Sequence, residues 1–323
     1  MKTTRILVLM MILTTTNLWA QGLKSAKLTE SWKAQITALA PDAPRLEPGK
    51  RHKVLLFSLF TGFNHWVVPH TDAVIEILSE KSGLCDVIQT TDVAWFTPDR
   101  LARFDAVILN NNCSIGPKRD LFYDALKKSG QPEAPSDATA AELEKIRIEH
   151  EAKCSTKAAE LEKNLIEYVA QGHGLLALHG AIVMQNNSKA FSEMMGGSFD
   201  YHPAQQHVRL ELVDDDHSLV KAFDGKPFIH VDEPYLFKNA YAKLNFRPLL
   251  SMDLSKLTPP RGKTLSGIRY VSWVKRHGQG RVMYISPSHN AQSFEQPALL
   301  QFYLDGLQYV LGDLTCDDSP IGK

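Results

Sequence analysis

The chain has 323 residues, of which 44% are hydrophobic, and this is enough to bury one large α/β domain or two smaller ones. Lysine plus arginine and aspartate plus glutamate both number 36, so the formal net charge is zero. Because no basic stripe runs through the sequence, the composition argues against nucleic acid as a partner.

The first twenty residues are typical of a secretory signal peptide. Lys2 and Arg5 supply the positive region, residues 6–12 form the apolar core, and Ala20 ends a small cleavage motif. The apolar run is far shorter than the roughly 20 residues that span a bilayer. We therefore expect export to the periplasm or beyond the cell, a mature start near Gln21, and no membrane association after cleavage.

The next part of the chain predicts alternating strands and helices. Residues 21–50 read as a polar lead-in with a short helix, and one α/β domain is expected over residues 51–313. Its predicted strands are 54–60, 85–89, 106–109 and 175–178, and its predicted helices are 69–82 and 161–170, with a short helix after Pro98. Such alternation favours a parallel, doubly wound sheet. A charged helical segment, about 129–156, is predicted to be an insertion.

The C-terminal half has a different pattern. Residues 208–213 alternate apolar and polar side chains, as a half-exposed strand does. Residues 228–238 form a predicted strand that Pro234 interrupts, and 268–275 with 281–286 form a predicted hairpin around residues 276–280. A helix over 297–311 closes the domain before a tail, 314–323. We expect these strands to extend or flank the parallel sheet, some of them antiparallel.

Residues 172–203 are the most informative stretch. A short apolar strand ends at His179, and the small residues Gly180 and Ala181 allow a sharp turn out of the sheet. A helix follows over 188–195, with Ser188 as its N-cap, and His202 arrives soon after it. Open α/β sheets bind ligands at the carboxyl ends of their strands, which makes His179 a candidate site residue.

Two more histidines follow predicted strands. His65 comes after the first strand and His289 after the last, so both should meet His179 at one edge of the sheet. Asp232 and Glu233 are neighbours in a strand, and their side chains should therefore face opposite sides, with only one pointing inward.

Several motifs occur together in a fixed order: Gly62 to His65, residues 172–181, 195–203, 232–235 and 278–284, and then His289. Over about residues 54–311 the chain resembles the ThuA-like (trehalose utilisation) family. The resemblance implies a flavodoxin-like three-layer sandwich with a mainly parallel central sheet, similar to class I glutamine amidotransferases, and a role in sugar catabolism. Disaccharides or their keto derivatives are the implied substrates.

The resemblance also shows a departure from the amidotransferases. Their nucleophilic cysteine sits at a strand-to-helix elbow, where this chain has His179, and Cys113 ends a different strand without the glycines of an elbow. A cysteine-dependent amidotransferase is therefore not expected.

The candidate residues suit two kinds of chemistry. His65, His179, His202 and His289 could bind Zn²⁺, Mn²⁺ or Fe²⁺ in a site with an open position. His179, His202 and Glu233 could equally serve as metal-free acids and bases. Either arrangement would polarise a carbonyl group or move a proton beside it, in hydrolysis, hydration or isomerisation.

Substrate contacts are predicted from aromatic and acidic side chains. Trp66, Tyr201 and Tyr235 could present flat faces to a sugar, and Asp232 could line the pocket wall. A non-catalytic carbohydrate-binding protein on the same scaffold remains the alternative function. The sequence is compatible with a homo-oligomer.

The four cysteines allow two interpretations. A Cys113–Cys154 disulfide would close the base of the inserted segment and stabilise the fold by roughly 3–4 kcal/mol in the chain-entropy model. The alternative is that Cys85, Cys113, Cys154 and Cys316 are all free thiols.

Overall fold

The computed structural model describes residues 23–133 and 135–322. The predicted signal peptide, residues 1–20, lies outside the described residues. Within the described part of the chain, no helix combines the length and the apolar character that a membrane span requires.

Strands and helices alternate along the first half of the chain and strands dominate the second. The strands are β1 (His52–Phe57), β2 (Cys85–Thr90), β3 (Ala106–Asn110), β4 (Gly174–Leu178), β5 (Ser198–Tyr201), β6 (Gln206–Leu212), β7 (Phe228–Asp232), β8 (Leu236–Lys238), β9 (Arg247–Asp253), β10 (Ile268–His277) and β11 (Gly280–Ile285). The α-helices are α1 (Glu30–Leu39), α2 (Val68–Ser82), α3 (Pro98–Leu101), α4 (Leu121–Ser129), α5 (Ala140–Ala170), α6 (Lys189–Met195) and α7 (Pro297–Leu311).

A nine-stranded sheet organises the domain, in the order β2-β1-β3-β4-β11-β10-β9-β6-β7. The first five strands of this order are parallel and follow the flavodoxin arrangement, with β11 as the fifth strand. The remaining four pair antiparallel. Strands β5 and β8 form a separate two-stranded sheet. The predicted fold class, a mainly parallel sheet with added antiparallel strands, is confirmed.

Helices cover both faces of the parallel strands. Side chains alternate across a strand, so Val54 and Leu56 of β1 pack into one core while Leu55 and Phe57 pack into the other. The first core lies beneath α1, α2 and α7, and the second beneath α4, α5 and α6. Two apolar layers, one on each side of the sheet, make the three-layer sandwich.

Some elements differ from the sequence-based predictions. The predicted helical segment at 129–156 and the predicted helix at 161–170 are not separate. One helix, α5, runs from Ala140 to Ala170 without a break. Helix α4 and strands β5 and β9 were not predicted. Pro248 obscures β9, because proline argues against an interior strand. In the structure Pro248 faces Trp273, beside an irregularity in the β9–β10 pairing that accommodates it.

The predicted Cys113–Cys154 disulfide is wrong, because all four cysteines are free in the structure. The Cys113 Sγ lies 3.7 Å from His65 Nδ1 and 3.6 Å from the Gly180 carbonyl oxygen. The Cys154 Sγ instead contacts His150, one turn earlier on α5, at 3.5 Å. The two thiols therefore face different surroundings, and the alternative of free thiols holds.

Candidate active site at the carboxyl ends of the strands

His179 occupies the elbow directly after β4. Its backbone φ of 45° lies in the left-handed region, which residues other than glycine seldom adopt. The chain then turns within Gly180, where an added Cβ would lie 2.9 Å from both His65 Cε1 and Cys113 Sγ. The glycine therefore lets the loop after β1 approach the elbow closely enough for His65 and His179 to share one site.

Hydrogen bonds fix the orientation of two histidine rings. The His179 Nδ1 lies 2.8 Å from the backbone carbonyl oxygen of Ser286, so this nitrogen donates, and in the neutral ring Nε2 carries the lone pair that faces the site. In His202 the Nδ1 lies 2.8 Å from the Pro203 carbonyl oxygen, which directs its Nε2 inward in the same way.

His65 is buried in the loop after β1. Its Nδ1 side faces the Cys113 thiol, and its Nε2 lies 3.5 Å from the Tyr235 hydroxyl. The ring meets the rings of His179 and His289 edge-on, with centroids 5.0 Å away in both cases. The first strand therefore delivers an imidazole nitrogen to the cluster as predicted from its position.

Glu233 reaches the same edge although β7 is the last strand of the sheet. Four successive antiparallel pairings separate β7 from β11, and an even number of reversals restores the original direction. The carboxyl end of β7 therefore points the same way as those of β4 and β11. Glu233 follows this end directly, and its Oε2 lies 3.6 Å from His179 Nε2.

The loop after β11 is tied to the end of β7. The His289 backbone N–H donates to the Asp232 carboxylate at 3.1 Å, and the Asn290 amide donates to the Val231 carbonyl oxygen at 2.8 Å. Asp232 is buried and faces His230 rather than the histidine cluster. Of the two neighbouring carboxylates, Glu233 points inward and Asp232 holds the loop that carries His289.

Four donor atoms converge at the centre of the site. Donor atoms of His65, His179, His289 and Glu233 all lie within 4.8 Å of one another. The Glu233 Oε2 is 3.1 Å from His289 Nδ1 and 3.9 Å from His65 Nε2, and the two nitrogens of His289 and His179 are 3.4 Å apart. Such a set matches the size of a site for one metal ion.

His202 stands at the rim of this set. Its Nε2 is 3.7 Å from Glu233 Oε2, and its side chain is 33% exposed, whereas those of the other three histidines are buried. It is absent from the four residues whose donor atoms converge within 4.8 Å. The structure thus groups the predicted ligands His65, His179 and His289 with Glu233, and leaves His202 facing the opening.

Burial and neighbouring charges change the pKa values of the site. Burial is the main reason that the pKa of His65 falls to about 3, so this imidazole is neutral. Burial also lowers the pKa of His179, but the hydrogen bond to Glu233 and the charges of Asp232 and Glu233 outweigh it and raise the pKa. Burial would raise the pKa of Glu233, yet the hydrogen bonds from its histidine partners bring it far below the usual range.

The Cys113 thiol is not a reactive thiolate. Burial, with the Glu233 carboxylate nearby, raises its pKa to about 12. A neutral thiol is a poor nucleophile, so the environment of Cys113 agrees with the expectation that the site does not work by thiol acyl transfer.

A cavity of about 190 Å³ opens onto the cluster. His65, His202 and Glu233 form part of its lining, together with Tyr235, which was predicted to contact substrate. The other predicted contact residues are not in this lining: Trp66 packs against His70, Tyr201 lies beneath the Lys263 ammonium group, and Asp232 supports His289.

The sequence reasoning missed Phe63, Arg119 and Phe199, which also line the cavity. Phe63 lies within the quoted motif before His65, and an aromatic residue among loop residues at a strand end was the available signal. Phe199 lies within the quoted motif 195–203, three positions before His202, and its aromatic side chain was a comparable signal. Arg119 has no such local signal, because it lies outside the quoted motifs.

The fold and the cluster define a flavodoxin-like α/β protein with a histidine and carboxylate site at its strand ends. A family model described as trehalose utilisation, ThuA, matches residues 137–310, and the chain belongs to this family. A search of curated proteins found no match.

Two solved structures are similar to this chain along most of its length. They are ThuA-like proteins from Bacteroides uniformis and Parabacteroides merdae, with TM-scores of 0.55 and 0.52 and 17% sequence identity in each case. The alignments cover 84% of this chain and 93% and 98% of theirs. At this identity the similarity concerns the fold.

Proposed function

We propose that this protein is an enzyme of carbohydrate catabolism that holds a divalent transition metal at His65, His179, His289 and Glu233. The convergence of their four donor atoms within 4.8 Å is the observation that carries the proposal. The family description, trehalose utilisation, supports a disaccharide or a keto derivative of one as the substrate.

The residues fit such an ion in chemistry and in spacing. Three imidazoles and a carboxylate are a donor set that Zn²⁺, Mn²⁺ and Fe²⁺ all accept. Ligand atoms about 2.0–2.2 Å from a common ion lie about 3.0–3.6 Å apart, close to the separations from Glu233 to His289 and His179. His179 already has the tautomer that a ligand needs, because its Nδ1 is committed to Ser286.

The mechanism assigns separate tasks to the residues. When bound, the metal would act as a Lewis acid that polarises a carbonyl or hydroxyl oxygen of the sugar. His202 faces the opening with its Nε2 3.7 Å from Glu233 Oε2, and in this proposal this nitrogen moves a proton to or from the substrate. Cys113, whose Sγ lies 3.7 Å from His65 Nδ1, keeps the His65 ring in place from the side away from the metal ligands.

Two other functions are less well supported. Metal-free acid–base catalysis would use the same histidines. A single proton transfer, however, needs fewer groups than the three buried imidazoles that surround Glu233 here. A carbohydrate-binding protein without catalysis would favour a wide aromatic groove over converging histidines. Export through the N-terminal segment is part of the proposal and rests on the sequence of residues 1–20 alone.

Metal analysis and single substitutions test the proposal together. Protein purified without chelator or a nickel column should contain about one transition-metal ion per chain. His179→Ala and His289→Ala should lose the metal, while His202→Ala should keep it and lose turnover of a disaccharide or keto-disaccharide by about 10²-fold or more. His277→Ala, on the β10–β11 hairpin, is the matched control and should keep both.

Circular dichroism shows whether each variant remains folded. Metal-free protein that turns over the substrate at full rate would exclude the metal and favour acid–base catalysis. Full activity in both His179→Ala and His202→Ala would refute the site altogether.

A further inference from the structure

Phe63 is an exposed aromatic residue directly beside the histidine cluster. Phe63 is 59% exposed, yet its ring centroid lies 4.7 Å from that of His65 and 6.3 Å from that of His289. An aromatic ring at the mouth of a polar site offers a flat apolar face against which a ligand can pack. Its outer face is free to receive the C–H face of a flat ligand.

The loop that carries Phe63 is held firmly. The backbone N–H groups of Thr61 and Gly62 both donate to the Cys113 carbonyl oxygen, at 2.9 and 2.8 Å. A Cβ on Gly62 would lie 2.4 Å from the Ser114 carbonyl oxygen, so the two loops touch through the glycine. The position of Phe63 over the cluster is therefore fixed before any ligand arrives.

Arg119 supplies a polar counterpart in the same cavity. Its Nη1 donates to the Ser114 carbonyl oxygen at 3.0 Å, which uses one of the five N–H groups of the guanidinium and aims the side chain. Its backbone, at φ 51°, is held in the left-handed region while its carbonyl oxygen accepts from the Asn186 N–H at 3.0 Å. A guanidinium placed in this way can donate to the oxygen substituents of a sugar.

The size of the cavity limits what enters it. Pockets that hold drug-sized ligands measure about 300 Å³ or more. At about 190 Å³, this cavity suits one sugar ring and is too small for two. A disaccharide would therefore place one ring beside the cluster and leave the second outside.

We propose that this cavity is a subsite for a single terminal sugar ring, which packs on Phe63 and accepts hydrogen bonds from Arg119. The proposal rests on the proposed function, since it names the part of the substrate that meets the histidine cluster. It assigns the specificity of the site to the terminal residue of the sugar, whatever is attached to it.

Binding titrations with glucose and trehalose as probes test the subsite. Wild-type protein should bind both within about threefold, because one ring makes most of the contacts. Phe63→Ala should weaken both by about tenfold, and Phe63→Tyr should restore binding. Arg119→Gln should weaken both by about fivefold, with partial recovery in Arg119→Lys.

Ile115→Ala is the matched control and should bind like the wild type. Ile115 is 55% exposed on the neighbouring loop but lines a separate groove outside the cavity. Trehalose binding more than tenfold tighter than glucose would overturn the single-ring subsite, as would unchanged binding in Phe63→Ala.

Metal content, measured on the same samples, separates this proposal from the proposed function. If sugar binding depends on Phe63 but no metal is found, the subsite stands and the metal site fails. If the metal is present and neither sugar binds, the subsite is overturned while the metal site stands.

Discussion

At the residue scale, Gly180 shows how little space the site leaves. Its missing side chain allows His65, Cys113 and Asn111 to lie within 3.2 Å of where a Cβ would be. His179, one position earlier, accepts an unusual backbone conformation so that the strand can end and turn at once. The backbone strain at His179 and the close packing at Gly180 therefore occur together at the elbow after β4.

Lys275 gives a pH prediction away from the site. This buried lysine on β10 donates to the Glu193 carbonyl oxygen, and burial lowers its pKa from 10.5 to about 8. Between these two values the folded protein binds fewer protons than the unfolded chain, so stability rises with pH in this window. Urea unfolding should show a gain of about 2 kcal/mol from this group between about pH 7 and pH 9.5.

Lys275→Met is the control, because it removes the titrating group and keeps the length of the side chain. The difference in unfolding free energy between the wild type and the variant should change across this pH range. A constant difference would show that the pKa of Lys275 is not lowered in the folded protein.

At the element scale, α5 is the feature that differs most from the sequence-based prediction. It begins with a capping box of Thr139 and Glu142 and runs for 31 residues. Its N-terminal part is largely exposed, while Ala158, Leu161 and Leu165 are buried in the core. A change from charged to amphipathic sequence suggested two segments, but no glycine or proline interrupts the helix, so the helical backbone continues.

Two alanine-to-glycine substitutions test whether α5 folds as one unit. Ala152→Gly, in the exposed part, should lower the free energy of unfolding by about 1 kcal/mol through helix propensity alone. Ala158→Gly should lower it by about 2 kcal/mol, because it also removes a buried methyl group. Urea denaturation measures both. An Ala152→Gly variant as stable as the wild type would show that the exposed part folds independently of the domain.

At the scale of the whole molecule, the state of the thiols reports on the fold. Cys85, Cys113 and Cys154 are buried, Cys316 is half-buried, and all four are free. Ellman's reagent should therefore detect four thiols in denatured, unreduced protein. In the folded protein Cys316 should react first, and the other three should react only as fast as the protein opens.

Fewer than four thiols in the denatured, unreduced sample would show that a disulfide forms after all. Rapid reaction of all four in the folded protein would contradict the burial of Cys85, Cys113 and Cys154.

The sequence alone determined the parallel half of the fold and the grouping of three candidate site histidines. Apolar runs of strand length, separated by helical periodicity, place β1, β3 and β4 in a doubly wound sheet. Parallel strands end at one edge, so His65, His179 and His289 could be grouped from position alone. These inferences succeeded because the signals are local in the chain.

Only the tertiary structure decided the rest of the site. Strand alternation shows that Asp232 and Glu233 face opposite ways, but the choice of Glu233 depends on the place of β7 after four antiparallel pairings. The positions of Phe63 over the cluster and Arg119 in the cavity depend on contacts between loops distant in sequence. Such contacts have no periodic signal, because each is set by packing in the folded molecule and not by the local backbone.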